Sequence, residues 1–180
     1  MPKKTTVSII KCDVGSLAGH HIAAKPILEI GEKHLKKAKE KGLINSYYVF
    51  HAGDDLELLM THNKGEDDSQ IHKMAWDAFL DATERAKCLK LYGAGQDILK
   101  KAFSGNIRGM GPGCAEIEFE ERASDPIVVF AADKASSSAF NLPMFRIFAD
   151  PFNTAGLVID PQMGGGFKFD VLDLKRNRDA

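Results

Sequence analysis

The chain has 180 residues, a hydrophobic share of 44%, a charged share of 27% and a formal net charge of -1. This length suffices for one domain with a buried core, and the near-neutral charge argues against nucleic acid or an anionic membrane surface as a partner. No apolar run approaches the ~20 residues of a membrane span, and the short apolar stretch after the N-terminal lysines is typical of a first strand rather than a signal peptide.

The first predicted elements are a strand and a helix. Residues 5–12, TTVSIIKC, are rich in β-branched side chains and favour a strand that ends at Asp13. A loop of small residues follows. Pro26 is suited to the first turn of a helix, the apolar residues after it have helical spacing, and Gly42 is a natural end.

A hairpin is predicted next. Residues 44–51 and 56–62 are strand-like, and the short connection between them contains Gly53. Asp54 and Asp55 therefore lie in or beside a tight turn.

The most regular helix pattern follows a polar loop. Asp68 or Ser69 can cap this helix. Its apolar side chains recur at i, i+3 and i+4 at positions Ile71, Met74, Ala75, Ala78, Phe79 and Ala82. A short helix over 95–105 and a glycine-rich loop over 105–114 come next.

The last part of the chain is strand-like. Residues 115–122 alternate and predict a strand with one wet face, whereas the continuous apolar run 126–133 predicts a strand buried on both faces. Residues 141–173 are also strand-like, with frequent proline and glycine. The order of elements indicates an α/β protein with a mixed or largely antiparallel sheet.

Acidic residues fall at the ends of several predicted strands. These residues are Asp13, the Asp54–Asp55 pair and Asp133. Because strand ends converge on a shared crevice in α/β sheets, the carboxylates could bind a hard cation such as Mg²⁺. His20, on the small-residue loop, could ligate a metal or accept a proton.

Each of these residues also has a structural interpretation. Aspartates in turns commonly accept backbone N–H groups, and five other histidines compete with His20. The glycine-rich stretch FSGNIRGMGPG could approach a phosphate or simply connect two elements, and Lys134 could bind phosphate or lie in solvent.

The three cysteines, Cys12, Cys88 and Cys114, are widely spaced. This spacing indicates reduced thiols in a cytoplasmic protein, with neither a disulfide framework nor a zinc-binding motif.

Long segments of the chain resemble one enzyme family. The segments KCDVGSLAGH, HAGDDLELLMTH, LYGAGQDILKKAFSGNIRGMGPG, FAADK and FNLPMFRIFADPFNTAGLVIDP together resemble the bifunctional fructose-1,6-bisphosphate aldolase/phosphatases, over nearly the whole chain and in order. The resemblance implies a layered α-β-β-α sandwich with mixed or largely antiparallel sheets. It also implies one domain over residues 1–174, matching the first half of the family's chain, and a charged tail over 175–180.

The resemblance implies a role for particular residues. His20 matches the base for phosphate hydrolysis. The residues that match ligands of several Mg²⁺ ions are Asp13, His20, Asp54, Asp55, Gln96 and Asp133. The residues that match groups contacting the sugar bisphosphate are His20, Tyr92, Gly105, Asn106 and Lys134.

The implied activity is gluconeogenic. Family members release phosphate from fructose 1,6-bisphosphate to give fructose 6-phosphate, and they condense dihydroxyacetone phosphate with glyceraldehyde 3-phosphate. The resemblance also implies a cytoplasmic homo-oligomer.

The family's aldolase residues have no counterpart after Pro161. The family's second half carries the Schiff-base lysine, a catalytic tyrosine and a further aspartate pair, and Lys168 is better interpreted as a surface lysine. Three alternatives follow. The chain is an enzyme whose missing groups come from a second chain, a half that binds metal and phosphate or serves as an assembly partner without turnover, or a metal-dependent hydrolase of another phosphorylated sugar.

Overall fold

The computed structural model describes residues 4–100, 103, 111–123, 127, 129, 131, 133, 146, 172–173 and 178–179. Residues 1–133 and 134–180 form two compact units.

The first unit contains an antiparallel four-stranded sheet. Its strands are β1 (Lys4–Cys12), β2 (Ser46–Ala52), β3 (Asp55–His62) and β4 (Gly113–Glu120). Their order is β2-β3-β1-β4, and every neighbouring pair is antiparallel. The α/β class, the antiparallel pairing and the β2–β3 hairpin predicted from sequence are confirmed.

Two helices, α1 (Lys25–Glu40) and α2 (Ser69–Cys88), lie where they were predicted. Pro26 occupies the first turn of α1, and Gly42 follows its end with a φ of +71°. The Asp68 carboxylate caps α2 by accepting backbone N–H groups two and three residues further on, at 2.9 and 3.1 Å.

The helices and one face of the sheet form the core. The buried side chains that meet there include Ile10, Leu56, Leu58 and Met60 from the strands and Ile27, Leu35, Ile71 and Phe79 from the helices. Each such side chain contributes ~1.5–3 kcal/mol when it leaves water. The described residues form one helix layer on one sheet, and the further layers of the α-β-β-α sandwich remain a prediction.

Two elements differ from the sequence prediction. In place of the helix over 95–105, the described residues contain a 3-10 turn, Asp97–Lys100. In 126–133 only alternate residues are described, and none of these is in a strand. Ile127 and Val129 are 42% and 37% exposed, along a groove on the sheet face opposite the helices. The apolar run predicted burial, but it could not indicate what would cover it.

In the second unit, strands β5 (Leu172–Asp173) and β6 (Arg178–Asp179) pair antiparallel. No helix in the described part of the chain is long and apolar enough to cross a membrane.

Candidate active site

The β2–β3 hairpin and the end of β1 bring three aspartates together. Ala52 pairs with Asp55 across a two-residue turn in which Gly53 has a φ of +59°, so Asp54 lies at the turn and Asp55 begins β3. Cys12 pairs with Leu56, which places Asp13 beside this turn. One carboxylate oxygen from each of Asp13, Asp54 and Asp55 lies within 4.8 Å of the others.

The carboxylate of Asp13 is held close to other negative charges. Its Oδ1 accepts the Gly15 N–H at 3.0 Å, while Asp97 accepts both the backbone N–H of Asp13 at 3.1 Å and that of Gly111 at 3.2 Å. Burial, followed by the charge of Asp54, raises the pKa of Asp13 to about 7. At neutral pH this carboxyl group is therefore only partly ionised, and a cation bound nearby would favour its ionised form.

His20 is bonded to the turn carboxylate. Its Nδ1 lies 2.7 Å from Asp54 Oδ2 and 3.1 Å from Ser16 Oγ, and its backbone has a φ of +51°. This left-handed conformation is unfavourable for a residue with a Cβ, so the surrounding loop has to hold it. Burial alone would raise the pKa of Asp54. Hydrogen bonds to His20, Ser16 and Asp133 nevertheless keep this pKa below its usual value.

Asp133 lies against the same turn. A Cβ built at Gly53 would overlap the Asp133 carboxyl group, and the Asp133 and Asp54 side chains are hydrogen-bonded. A hydrogen bond between two carboxyl groups requires a proton on one of them. A divalent cation bound here could replace that proton.

A lysine and a glutamate extend the site along the strands. Lys11 on β1 forms a salt bridge with Asp55 and lies opposite Glu57 on β3. Burial, opposed by Lys11, raises the pKa of Asp55. Burial and the charge of Asp55 raise the pKa of Glu57 to about 7. One lysine therefore does not neutralise the buried acids.

Tyr92 lies beside His20. Ser16 and Tyr92 exchange backbone hydrogen bonds of 2.9 and 2.8 Å, and the Tyr92 ring meets the His20 ring edge-on with centroids 4.9 Å apart. The Tyr92 side chain is 67% exposed. The substrate contact that the family resemblance implied for Tyr92 stays a prediction.

The structure thus gathers Asp13, His20, Asp54, Asp55, Asp133 and Tyr92. Gln96 is exposed on the same loop as Tyr92, and in the described part of the chain its amide forms no hydrogen bond to the three aspartates. Gly105, Asn106 and Lys134 lie outside the described residues.

Sequence reasoning missed four contributors: Lys11, Ser16, Glu57 and Asp97. All four lie within the resembling segments, but only Asp97 is adjacent to a selected residue, Gln96. The pairing of Lys11 with Glu57 and the salt bridge of Lys11 with Asp55 depend on how β1 and β3 align, which the sequence does not show.

The donor set suits a hard cation. Mg²⁺ prefers carboxylate oxygens and retains several waters. The carboxylates of Asp13, Asp54, Asp55 and Asp133 supply such oxygens, and burial, followed by neighbouring carboxylate charges, raises the pKa values of Asp13 and Asp55.

The chain was also compared with known protein families. The family described as fructose-1,6-bisphosphatase matches residues 4–180. The chain therefore belongs to the fructose-1,6-bisphosphatase family.

Curated relatives carry a more specific name. Proteins named fructose-1,6-bisphosphate aldolase/phosphatase from Sulfurisphaera tokodaii, Thermococcus onnurineus and Methanothermobacter marburgensis are 59%, 58% and 54% identical to this chain. The matches cover 95%, 98% and 97% of this chain but 44%, 47% and 48% of those relatives. The chain thus spans slightly less than half the length of these relatives.

Proposed function

We propose that this chain carries the metal and phosphate site of a Mg²⁺-dependent fructose-1,6-bisphosphate phosphatase that releases fructose 6-phosphate. The observation that carries the proposal is the convergence of the Asp13, Asp54 and Asp55 carboxylates within 4.8 Å. The names of the relatives support the substrate.

In this proposal, several Mg²⁺ ions bound by the carboxylates would screen the phosphate charge and lower the pKa of a bound water. Asp13, Asp54, Asp55 and Asp133 hold the ions, with Gln96 as a further ligand. With Nδ1 directed at Asp54, the imidazole of His20 keeps Nε2 for a proton or an ion. Tyr92 contacts the sugar part of the bisphosphate.

The phosphate groups are proposed to bind to Lys134 and to the backbone at Gly105 and Asn106. Phosphoryl transfer depends mainly on positioning and electrostatics, which such groups supply. Aldolase activity requires a Schiff-base lysine, which in this proposal comes from a second chain. A cytoplasmic homo-oligomer acting in gluconeogenesis belongs to the same proposal.

A second candidate function is a half that binds metal and phosphate without turnover. The closeness of the Asp13, Asp54 and Asp55 carboxylates favours ion binding, and ion binding does not by itself require turnover.

Phosphate release from fructose 1,6-bisphosphate with Mg²⁺ distinguishes the two. Turnover that Asp54→Asn abolishes, with Asp81→Asn as an exposed control, supports the enzyme. Mg²⁺-dependent binding of the bisphosphate by calorimetry without phosphate release supports the second candidate. Absence of both turnover and binding overturns both.

A further inference from the structure

A second group of metal-ligating side chains joins β4 to α2. Cys114 and Glu116 are two residues apart on β4 and therefore lie on the same face of the sheet. His72 on α2 lies above them, with Nε2 at 3.2 Å from Glu116 Oε1 and 3.5 Å from Cys114 Sγ. The three ligand atoms all lie within 4.8 Å of one another.

These separations match a tetrahedral zinc site. Zn²⁺ bonds of ~2.0–2.3 Å to nitrogen, oxygen and sulfur place neighbouring ligand atoms ~3.3–3.7 Å apart. The His72–Glu116 distance of 3.2 Å is longer than the ~2.7–2.9 Å of a charge-assisted hydrogen bond. An ion could therefore enter with little rearrangement of these side chains.

Groups behind Glu116 hold its carboxylate in place. Oε1 accepts the Ser8 hydroxyl at 2.6 Å, and Oε2 accepts the Asp67 N–H at 2.7 Å. The Lys64 N–H donates to Nδ1 of the buried His62, so His62 Nε2–H donates to Ser8 at 2.8 Å. Outer hydrogen bonds of this kind orient metal ligands in known sites.

The site is shielded but reachable from solvent. The His72 side chain is 21% exposed and that of Glu116 is 7% exposed. The Phe103 ring meets both His72 and Trp76 edge-on, with centroid distances of 5.3 Å in each case. These rings form an apolar wall beside the ligands.

We propose that His72, Cys114 and Glu116 bind Zn²⁺ or a similar thiophilic divalent ion, which would tether β4 to α2. Sulfur and imidazole ligands favour such an ion over Mg²⁺, so this site and the aspartate cluster select different metals. The Cys114 thiol proton leaves to solvent as Sγ binds the ion. Three protein ligands leave the fourth position to water.

Cobalt binding to the reduced 180-residue chain tests the proposal, with Mg²⁺ in excess to occupy the aspartate cluster. Co²⁺ should produce a sulfur-to-cobalt charge-transfer band in the wild type and in Cys88→Ser, a variant of an exposed cysteine outside the cluster. The band should be lost in Cys114→Ser, and His72→Ala should weaken Co²⁺ binding by about 10-fold or more. Zn²⁺ should displace the cobalt and raise the unfolding temperature of the wild type but not of Cys114→Ser.

Three results would overturn the proposal: no band in the wild type, a band that survives Cys114→Ser, or a band that Asp54→Asn removes. If Cys114→Ser does not fold, His72→Ala decides in its place, because unchanged cobalt affinity in that variant also contradicts the site.

Discussion

His20 Nδ1 lies 2.7 Å from Asp54 Oδ2, although the two residues are 34 positions apart in the chain. This contact joins the loop after β1 to the β2–β3 turn. It fixes an imidazole at the edge of the aspartate cluster.

The first prediction concerns the metal ligands. Asp54→Asn should weaken Mg²⁺ binding by about 10-fold or more, because it removes one carboxylate charge and weakens the hydrogen bond to His20. Titration calorimetry measures the change. Asp81→Asn is the matched control, since Asp81 is an exposed partner of His34 on the helices. Equal Mg²⁺ affinity in both variants would argue against the cluster.

The second prediction concerns the imidazole. His20→Ala should reduce phosphate release by about 10²–10⁴-fold, the usual contribution of a positioned acid or base. His34→Ala, a variant of a helix histidine paired with Asp81, should leave the rate unchanged. A His20→Ala enzyme with the wild-type kcat would exclude this role. If the chain alone releases no phosphate, the same variants can be assayed after the complementary half of a relative has been added.

The third prediction is a dependence of stability on pH in EDTA. Asp13 and Glu57 have folded pKa values of about 7, above their usual values near ~4, so the folded state binds more protons than the unfolded state. Stability should therefore fall as the pH rises from about 4 to about 8. Burial lowers the pKa of His62, which opposes this fall within the window, but two carboxyl groups outweigh one imidazole. The lowered pKa values of Asp54 and Glu116 also act in the opposite direction, but below about pH 4.

Thermal unfolding at several pH values checks this dependence. Glu57→Gln should give a shallower profile, and Mg²⁺ should restore stability at the upper end because it favours the ionised carboxylates. A profile that rises with pH over this window would contradict the prediction.

The fourth prediction concerns the loop that carries His20. Gly15 has a φ of +124°, and a Cβ there would lie 2.9 Å from Ala94 Cα. Gly15→Ala should cost about 2 kcal/mol or more. Gly42→Ala is the control, since its φ of +71° is also left-handed but a Cβ would meet nothing within 4 Å. It should cost only the backbone strain of ~1 kcal/mol. Chemical denaturation compares them, and equal losses would show that the close approach is not important.

The fifth prediction concerns the sheet face opposite the helices. Tyr48 and Ile117 on this face are 64% and 50% exposed. Exposed apolar side chains on a sheet favour association, so the chain should self-associate in light scattering, and Ile117→Lys should reduce this. A wild-type monomer at high concentration would contradict the prediction.

Local patterns predicted most of the first unit. The turn at Gly53, the α2 cap at Asp68 and the end of α1 before Gly42 each depend on residues that are adjacent in the sequence, and all three are confirmed. The described residues of 126–133 are not in a strand. The prediction failed there because hydrophobicity indicates burial but does not identify the surface that a segment packs against.

The sequence by itself determined the family, the hairpin and the candidate aspartates, since each depends on residue order. Only the tertiary structure decided which side chains meet. The register of β1 against β3 places Lys11 beside Glu57, and Asp97 reaches the backbone of Asp13 from a separate loop. The spacing of the cysteines along the chain does not match a zinc motif. In the fold, however, Cys114 Sγ lies 3.5 Å from Nε2 of His72, which is 42 positions away. Distances between strands and helices follow from packing, and packing is not a property of any short segment.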